Sequence, residues 1–288
     1  MSCQTTAPRQ SNNSSITTSA SLIMSNALLP PAPLPIDIVT APTRETLELN
    51  YVCPGRPVLV RGVTDHWRAR LEWSHDYLAE HAGHTTVTVS RRRGADAQHM
   101  QLAAYLKYLE RPPEADPLYL SNWVFERDCP QLLNDYEQLE LFEHLESKLP
   151  EHLRPQWRWM FIGPTGSGTH LHVDVLDTSA WNVVITGRKR WRFYSPEQKA
   201  LMYQGGVNTF EPDLTACPRF AQAQAIECVQ EPGDLVFTPS GWWHQVINER
   251  GGISITENFI DRANLERVKQ AAKRANLAYL DQAVAAIG

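Results

Sequence analysis

Short apolar segments separated by Gly and Pro residues dominate the C-terminal half of the chain, from Trp157 to Phe259. This pattern is typical of short β-strands joined by turns, and it predicts a jelly roll, a barrel built from two antiparallel sheets. We therefore expect a mainly β protein. The predicted strands are Arg158–Ile162, His170–Val175, Asn182–Thr186, Lys189–Tyr194, Ala225–Gln230, Asp234–Thr238, His244–Asn248 and Ile253–Phe259.

The N-terminal part of the chain mixes helical and strand-like patterns. Ser74–Ala82 and Gln101–Leu109 have the spacing of amphipathic helices, and Ser74 is a suitable N-cap for the first of them. These elements assign residues 36–150 to an N-terminal α/β part that packs on a jelly-roll core at residues 151–260. Further helices are predicted over Pro42–Gly55 and Leu132–Leu149, and strands over Pro57–Gly62, Thr85–Ser90 and Leu118–Trp123.

The two ends of the chain have different compositions. Residues 1–35 are rich in Ser, Thr and Asn and then in Pro, which predicts a disordered or extended tail, and Met24 is an alternative start. Residues 261–288 are predicted to be helical, and their apolar face must pack on the barrel of its own chain or on a second copy. The apolar stripe consists of Leu265, Val268, Ala272, Ala275 and Tyr279, followed by Leu280, Val284 and Ile287.

Charge and cysteine content narrow the class of protein. The 288 residues carry a formal net charge of −5, so no overall basic field indicates a nucleic-acid partner. No apolar run is long enough to span a membrane. The five Cys residues are scattered and lack C-x-x-C spacing, which predicts reduced thiols in a cytoplasmic protein.

His172 and Asp174 lie two residues apart in a predicted strand, so their side chains should point to the same face. A third ligand is expected from His244, which follows a strand and a Pro239-x-Gly241 turn in a spacing that resembles the second signature motif of the cupin superfamily. Two imidazoles and one carboxylate on one side of a metal leave positions open, which suits non-haem Fe(II) and O2. The alternative is that His244 only packs beside its neighbouring tryptophans.

The motifs around these residues resemble the Jumonji-C branch of the Fe(II)/2-oxoglutarate oxygenases, and Ser167–Trp191 and Pro232–Phe259 closely resemble a lysyl hydroxylase group once described as phosphatidylserine receptors. The shared motifs are SGT, H-x-D, LxTSAWN, GxKRW, PGxxVFxPxGWWH and ITxNF. The resemblance covers most of the chain from about Pro57. It implies a cupin-like double-stranded β-helix and a homodimer formed through the C-terminal helices. It also implies that Fe(II), 2-oxoglutarate and O2 are used together.

The resemblance also implies a binding site for 2-oxoglutarate. Lys189 is the candidate cation for the far carboxylate, because it shares strand parity with apolar residues while its Arg neighbours alternate with them. Its alternative role is that of a surface lysine in a basic hairpin. The other residues at matching family positions are Thr169, Tyr119, Asn182 and Thr256.

His170 departs from the family pattern, which has a small residue at this position. It lies two residues before His172 and is therefore expected on the same side of the strand. Three roles follow from this position: support of a ligand, contact with a substrate, or replacement of Asp174 as a ligand.

Together these features predict a 2-oxoglutarate-dependent dioxygenase that hydroxylates an aliphatic C–H bond. By resemblance, the substrate is a protein or peptide side chain, Lys or Arg, and the same chemistry on an N-methyl group would give demethylation. The alternatives are a hydroxylase of small molecules or peptide natural products and a non-catalytic cupin binding module.

Overall fold

Two β-sheets line a common interior in the C-terminal half of the protein. The structure is a computed structural model, and it describes residues 29–91, 96–112 and 114–277. One sheet has five strands and the other has nine. All contacts between the strands from β7 to β14 are antiparallel, which confirms the mainly β jelly roll.

Fourteen strands form the two sheets of the described chain. In chain order they are β1 (Leu34–Pro35), β2 (Asp37–Thr40), β3 (Val58–Arg61), β4 (Thr86–Ser90), β5 (Gln98–Gln101), β6 (Tyr119–Trp123), β7 (Arg158–Gly163), β8 (Gly168–His172), β9 (Ser179–Val184), β10 (Arg188–Tyr194), β11 (Ile226–Gln230), β12 (Leu235–Thr238), β13 (Trp243–Arg250) and β14 (Gly252–Phe259). The smaller sheet has the order β1-β11-β10-β13-β8, and the larger has the order β2-β3-β12-β9-β14-β7-β6-β4-β5.

The helices are short and lie mainly in the N-terminal part. They are α1 (Arg44–Leu47), which continues as a π-helical turn to Val52, α2 (Ala69–Glu72), α3 (His75–Ala82), α4 (Leu102–Tyr108), α5 (Phe125–Asp128) and α6 (Leu265–Arg274). Ser74 caps α3 as predicted, because its hydroxyl accepts a hydrogen bond from the Tyr77 amide. No helix within these described ranges is long and apolar enough to cross a bilayer.

All eight strands predicted for the core are present, with shifted ends. The shift that matters for the site is at β8, which ends at His172 instead of Val175. The chain leaves the sheet there and turns at Leu176 and Asp177, which adopt positive φ angles of 54° and 56°. Asp174 therefore lies in the connection after the strand.

The helix predicted over Leu132–Leu149 is wrong. Only two 3-10 turns form there, Pro130–Asp135 and Leu145–Lys148. Tertiary contacts fix the segment between them in an irregular conformation, because Phe142 packs 5.4 Å from the Phe237 ring and 5.0 Å from the Phe259 ring. Packing on the larger sheet thus overrides helix propensity.

The main hydrophobic core lies on the outer face of the larger sheet. Trp67, Trp73 and Phe125 from the N-terminal part are buried there together with Trp181 and Phe259 from β9 and β14. Because side chains alternate along a strand, covering this outer face places the intervening residues of β9 and β14 on the inner face. The N-terminal half thereby leaves the inner face free for polar side chains.

Helix α6 packs on its own chain. Val268 and Ala272 are completely buried in a cluster with Leu145 and Ile260. The predicted stripe is wrong at Ala275, which is exposed, and the helix ends at Arg274. Its remaining predicted members, Tyr279, Leu280, Val284 and Ile287, lie outside the described residues.

The burial of α6 gives a stability prediction. Val268→Asp should lower the free energy of unfolding by about 3 kcal/mol or more, because it leaves an unpaired charge in a buried site. Gln270→Asp places the same charge on the exposed face of the helix and should change it by no more than about 0.5 kcal/mol. Thermal unfolding followed by circular dichroism measures both. An unchanged melting temperature for Val268→Asp would mean that this face does not pack on its own barrel.

Candidate functional site

The antiparallel pairing of β8 and β13 brings two histidines together. His172 lies directly opposite His244, and their ring centroids are 4.2 Å apart. Asp174 follows β8, and its Oδ2 lies 3.9 Å from Nε2 of His244. The candidate ligand atoms of all three residues lie within 4.8 Å of one another. Within the described residues this is the one group of three or more His, Cys, Asp and Glu residues close enough to hold a metal ion.

Hydrogen bonds to the backbone fix the orientation of both imidazoles. Nδ1–H of His172 donates to the carbonyl of His170 at 2.7 Å, and Nδ1–H of His244 donates to the carbonyl of Trp242 at 3.2 Å. A carbonyl can only accept, so each ring presents the lone pair of Nε2 to the cavity. Burial, assisted by the neighbouring His244, lowers the pKa of His172 to about 4, which favours the neutral ligand form.

The carboxylate of Asp174 also fits a metal ligand. Its Oδ2 is buried and has no hydrogen-bond partner in the described structure. A buried acceptor without a partner is costly, and a bound cation would remove that cost. Two imidazoles and one carboxylate are suited to Fe(II) with open coordination positions.

An extra residue in β8 shapes the site. His172 pairs with His244, but Thr169 pairs with Val246, so three steps along β8 match two steps along β13. This β-bulge turns both Thr169 and His172 to the cavity, although simple alternation would place them on opposite faces. His170 is exposed at the cavity mouth, with its ring 5.8 Å from that of His172, and lies outside the group of candidate ligands.

A small cavity between the two sheets brings all eight predicted site residues together. Its volume is about 50 Å³, and it adjoins an outer pocket of about 580 Å³. A larger and shallower cavity beside Trp67 contains none of the eight. The predicted residues that line the small cavity are Tyr119, Thr169, His172, Asp174, Asn182, Lys189, His244 and Thr256.

Lys189 is buried near the start of β10, and burial lowers its pKa to about 7. Its Nζ donates a hydrogen bond to Tyr119 Oη at 3.2 Å, and no carboxylate of the described residues pairs with it. Arg190 on the opposite face pairs with Glu249, so the strand parity is as predicted. A buried lysine without an anion favours binding of an anionic ligand, because that ligand would stabilise its charged form.

Other polar groups in the cavity are also incompletely bonded. Asn182 Nδ2 donates to Thr256 Oγ1 at 2.7 Å, but Asn182 Oδ1 and Thr169 Oγ1 are buried without a partner in the described chain. Burial raises the pKa of Tyr119, which keeps its hydroxyl protonated as a donor. The hydroxyls of Tyr119, Thr169 and Thr256 and the second N–H of Asn182 Nδ2 can together donate to a small polar anion beside a metal.

Several residues of the outer pocket were not predicted from the sequence. Asn258 lies on the same face of β14 as Thr256, and this two-residue spacing could have identified it. Trp159 and Phe161 of β7 form aromatic walls. Asn122 reaches the pocket at a register shift in β6, where its φ angle is 63°, and no sequence signal predicts this shift.

Comparison with known proteins identifies related chains. Residues 44–263 match the family described as cupin-like domain. The chain is 35% identical over 239 residues to the arginine-specific demethylase JMJ22 of Arabidopsis thaliana. The aligned residues cover 77% of this chain and 45% of that protein. It is 31% identical over 243 residues to the bifunctional arginine demethylase and lysyl-hydroxylase psr-1 of Caenorhabditis elegans. That alignment covers 78% of this chain and 61% of that protein.

A relative of lower sequence identity matches a similar share of the chain. The 2-oxoglutarate and iron-dependent oxygenase JMJD4 of Danio rerio is 27% identical over 258 residues, and the alignment covers 75% of this chain and 58% of that protein. The chain thus spans about half the length of the curated relatives it matches.

Replacing one candidate ligand tests the metal site. His172→Ala, Asp174→Ala and His244→Ala should each weaken binding of Mn(II) by more than the roughly 10–100-fold that loss of an outer hydrogen-bond partner costs. Calorimetric titration measures the affinity, and circular dichroism checks the fold. His170→Ala is the matched control and should bind Mn(II) as the unaltered protein does. Retained affinity in Asp174→Ala with lost affinity in His170→Ala would instead identify a three-histidine site.

Proposed function

The chain belongs to the cupin-like, Jumonji-C family, and from this premise we propose that it is an Fe(II)- and 2-oxoglutarate-dependent dioxygenase that hydroxylates an aliphatic C–H bond of a protein side chain. The observation that carries this proposal is a group of three candidate metal ligands in one small cavity with a buried lysine that has no carboxylate partner among the described residues. In the reaction, one oxygen atom of O2 enters the substrate and the other enters succinate, while CO2 leaves 2-oxoglutarate.

His172, Asp174 and His244 would hold the iron, which supplies the redox chemistry that activates O2. Their placement on one side of the cavity leaves the other side for the 2-oxo acid end of the cosubstrate. Lys189 and the Tyr119 hydroxyl, which lie in the same small cavity, would then bind the far carboxylate. Thr169, Asn182 and Thr256 would supply the remaining hydrogen bonds.

Apolar side chains exclude water from this end of the cavity. Trp191 and Val246 line it and are each 5% exposed. In such surroundings an ion pair is less screened than in water, so one lysine can hold a carboxylate firmly. The same walls protect the reacting centre from solvent.

The outer pocket has the properties expected of a substrate site. The Thr178 hydroxyl donates to the Val175 carbonyl at 2.7 Å, so it must accept from Asn258 Nδ2 at 2.9 Å. This leaves Asn258 Oδ1, which is buried without a partner in the described structure, as an acceptor on the pocket side of β14. A nitrogen donor on the substrate would satisfy it.

Lys and Arg side chains carry such donors, and the aromatic walls of Trp159 and Phe161 suit a cation. The names of the relatives, arginine demethylase and lysyl-hydroxylase, support the same two side chains. Hydroxylation of an N-methyl carbon would release formaldehyde and give demethylation.

A homodimer and a cytoplasmic location are further proposals. The resemblance of the C-terminal helices supports the homodimer, but the buried face of α6 is already occupied by its own barrel. A partner would therefore contact a different face. The scattered cysteines support a reducing compartment.

Removing the lysine tests the cosubstrate pocket. Lys189→Met should weaken 2-oxoglutarate binding by roughly one to two decades, because a charge-assisted hydrogen bond contributes about 1.5–3 kcal/mol. Calorimetry with Mn(II) in place of iron measures the affinity. Arg190→Met, which alters the neighbouring exposed residue, is the control and should leave the affinity unchanged. Equal affinity in Lys189→Met would exclude the role.

The lowered pKa of Lys189 predicts that the calorimetric titration with 2-oxoglutarate also reports proton uptake. At pH 8 the free Lys189 side chain is mostly neutral, because its pKa is about 7. A bound dianion raises that pKa, so binding at pH 8 should take up a proton. Binding enthalpies compared in two buffers of different ionisation enthalpy measure this uptake. It should disappear in Lys189→Met, and uptake that persists there would assign the proton to another group.

The catalytic proposal is tested with a panel of unmodified and N-methylated Lys and Arg peptides. With Fe(II), 2-oxoglutarate and O2, we expect succinate formation and a peptide heavier by one oxygen atom, or lighter by one methylene group after demethylation. Asp174→Ala should give neither product. Binding of 2-oxoglutarate without any succinate would instead identify a non-catalytic binding module.

A further inference from the structure

Asp174 is held differently from the two histidine ligands. His172 and His244 lie opposite each other in paired strands, but β8 and its pairing with β13 end at His172, two residues before Asp174. The carboxylate is nevertheless close to the histidines, with its Oδ2 3.9 Å from Nε2 of His244. Contacts outside the sheet must therefore position this ligand.

The connection that follows Asp174, Val175–Asp177, has an unusual backbone. Leu176 and Asp177 have left-handed φ angles of 54° and 56°, which are rare for residues other than glycine and especially for a bulky leucine. The Asp177 amide donates to the Asp174 carbonyl at 3.1 Å, so a shift of Asp177 also moves the ligand residue. Such a backbone conformation persists only where its surroundings hold it, and it is concentrated at functional sites.

Two side chains reach Asp177 from distant parts of the chain. Ser240 Oγ donates to its backbone carbonyl at 2.6 Å, and Arg274 Nη2 donates to its carboxylate at 2.9 Å. The Arg274 side chain is 63% exposed, so water and salt screen that ion pair. The Ser240 hydrogen bond is partly buried and acts on the backbone, so it fixes the path of the connection more directly.

Ser240 lies in the turn that leads into β13. Gly241 supplies the positive φ angle, 77°, that a type II turn requires at its third residue. The carbonyl of Trp242, the next residue, accepts a hydrogen bond from Nδ1–H of His244 at 3.2 Å. The Ser240 hydroxyl thus joins the turn that orients His244 to the connection that carries Asp174.

We propose that Ser240 is a positioning residue of the metal site, whose hydroxyl holds the Asp174 carboxylate at its place beside the two imidazoles. The inference rests on the metal site of the proposed function. Without the hydroxyl, the connection after Asp174 is free to relax from its left-handed conformation. The carboxylate is then less well placed for a metal bound by His172 and His244, so metal affinity falls.

Calorimetric titration of the full-length protein with Mn(II) tests this role. Ser240→Ala should weaken Mn(II) binding roughly tenfold, at the lower end of the range for loss of an outer hydrogen-bond partner. Ser240→Thr keeps the hydroxyl and should keep the affinity of the unaltered protein. Ser147→Ala is the matched control, because the Ser147 hydroxyl also donates to a backbone carbonyl at 2.6 Å but lies outside both cavities that contain the ligands. It should bind Mn(II) as the unaltered protein does.

A double-mutant cycle shows whether the effect runs through Asp174. In the Asp174→Ala background, Ser240→Ala should cause no further loss of affinity, because the ligand that it positions is already absent. Electron paramagnetic resonance of free Mn(II) extends the measurement to such weak binding. An equal loss in both backgrounds, or unchanged affinity in Ser240→Ala alone, would overturn the inference and leave the metal site intact.

Thermal unfolding of the metal-free proteins separates positioning from general stability. Ser240→Ala should melt close to the unaltered protein, because Ser240 lies in a partly exposed turn. A large loss of stability would mean that the hydrogen bond supports the whole fold, and it would overturn the inference. If the unaltered protein binds no Mn(II), the metal site and the proposed function fail together with this inference.

Discussion

The pairing of β8 with β13 is the constraint on which the site depends. It sets His172 opposite His244, and the extra residue in β8 brings Thr169 to the same cavity. The pairing requires the backbones of β8 and β13 to approach closely at Gly168. Any Cβ at this position would collide with the Val246 carbonyl, so only glycine fits. The register is held beyond the strand as well, because Asn248 and Ser167 bond through both backbone and side chain. A slip of one residue would move the ligands to the other face.

The larger sheet explains how the barrel can be stable although its interior is polar. Its outer face is covered by the N-terminal tryptophans, so most apolar burial occurs away from the site. The inner face can then keep groups that destabilise the free protein. The uncompensated Lys189 and the unpartnered Oδ2 of Asp174 are such groups within the described structure. A metal and an anion would relieve these costs on binding, so ligands should stabilise the fold.

The sequence was most informative where a local repeat determines the structure. Alternation predicted all eight core strands, and the spacing of the candidate ligands predicted that His172, Asp174 and His244 lie together. Prediction from the sequence failed where strand register or tertiary packing determines the local structure. The β8 bulge depends on the partner strand, and the helix predicted over Leu132–Leu149 is lost because Phe142 is held against the sheet. Asn258 was missed although it shares the face of Thr256, because its role depends on its hydrogen bond to the Thr178 hydroxyl.

The most direct test of the central claim is a crystal structure of the protein with Mn(II) and 2-oxoglutarate, prepared without O2. We expect anomalous density for one metal bound by His172, Asp174 and His244 and chelated by the 2-oxo acid end of the cosubstrate. We also expect the far carboxylate to lie within hydrogen-bond distance of Lys189 Nζ. A metal bound by His170 in place of Asp174, or a carboxylate that lies away from Lys189, would contradict the proposed site.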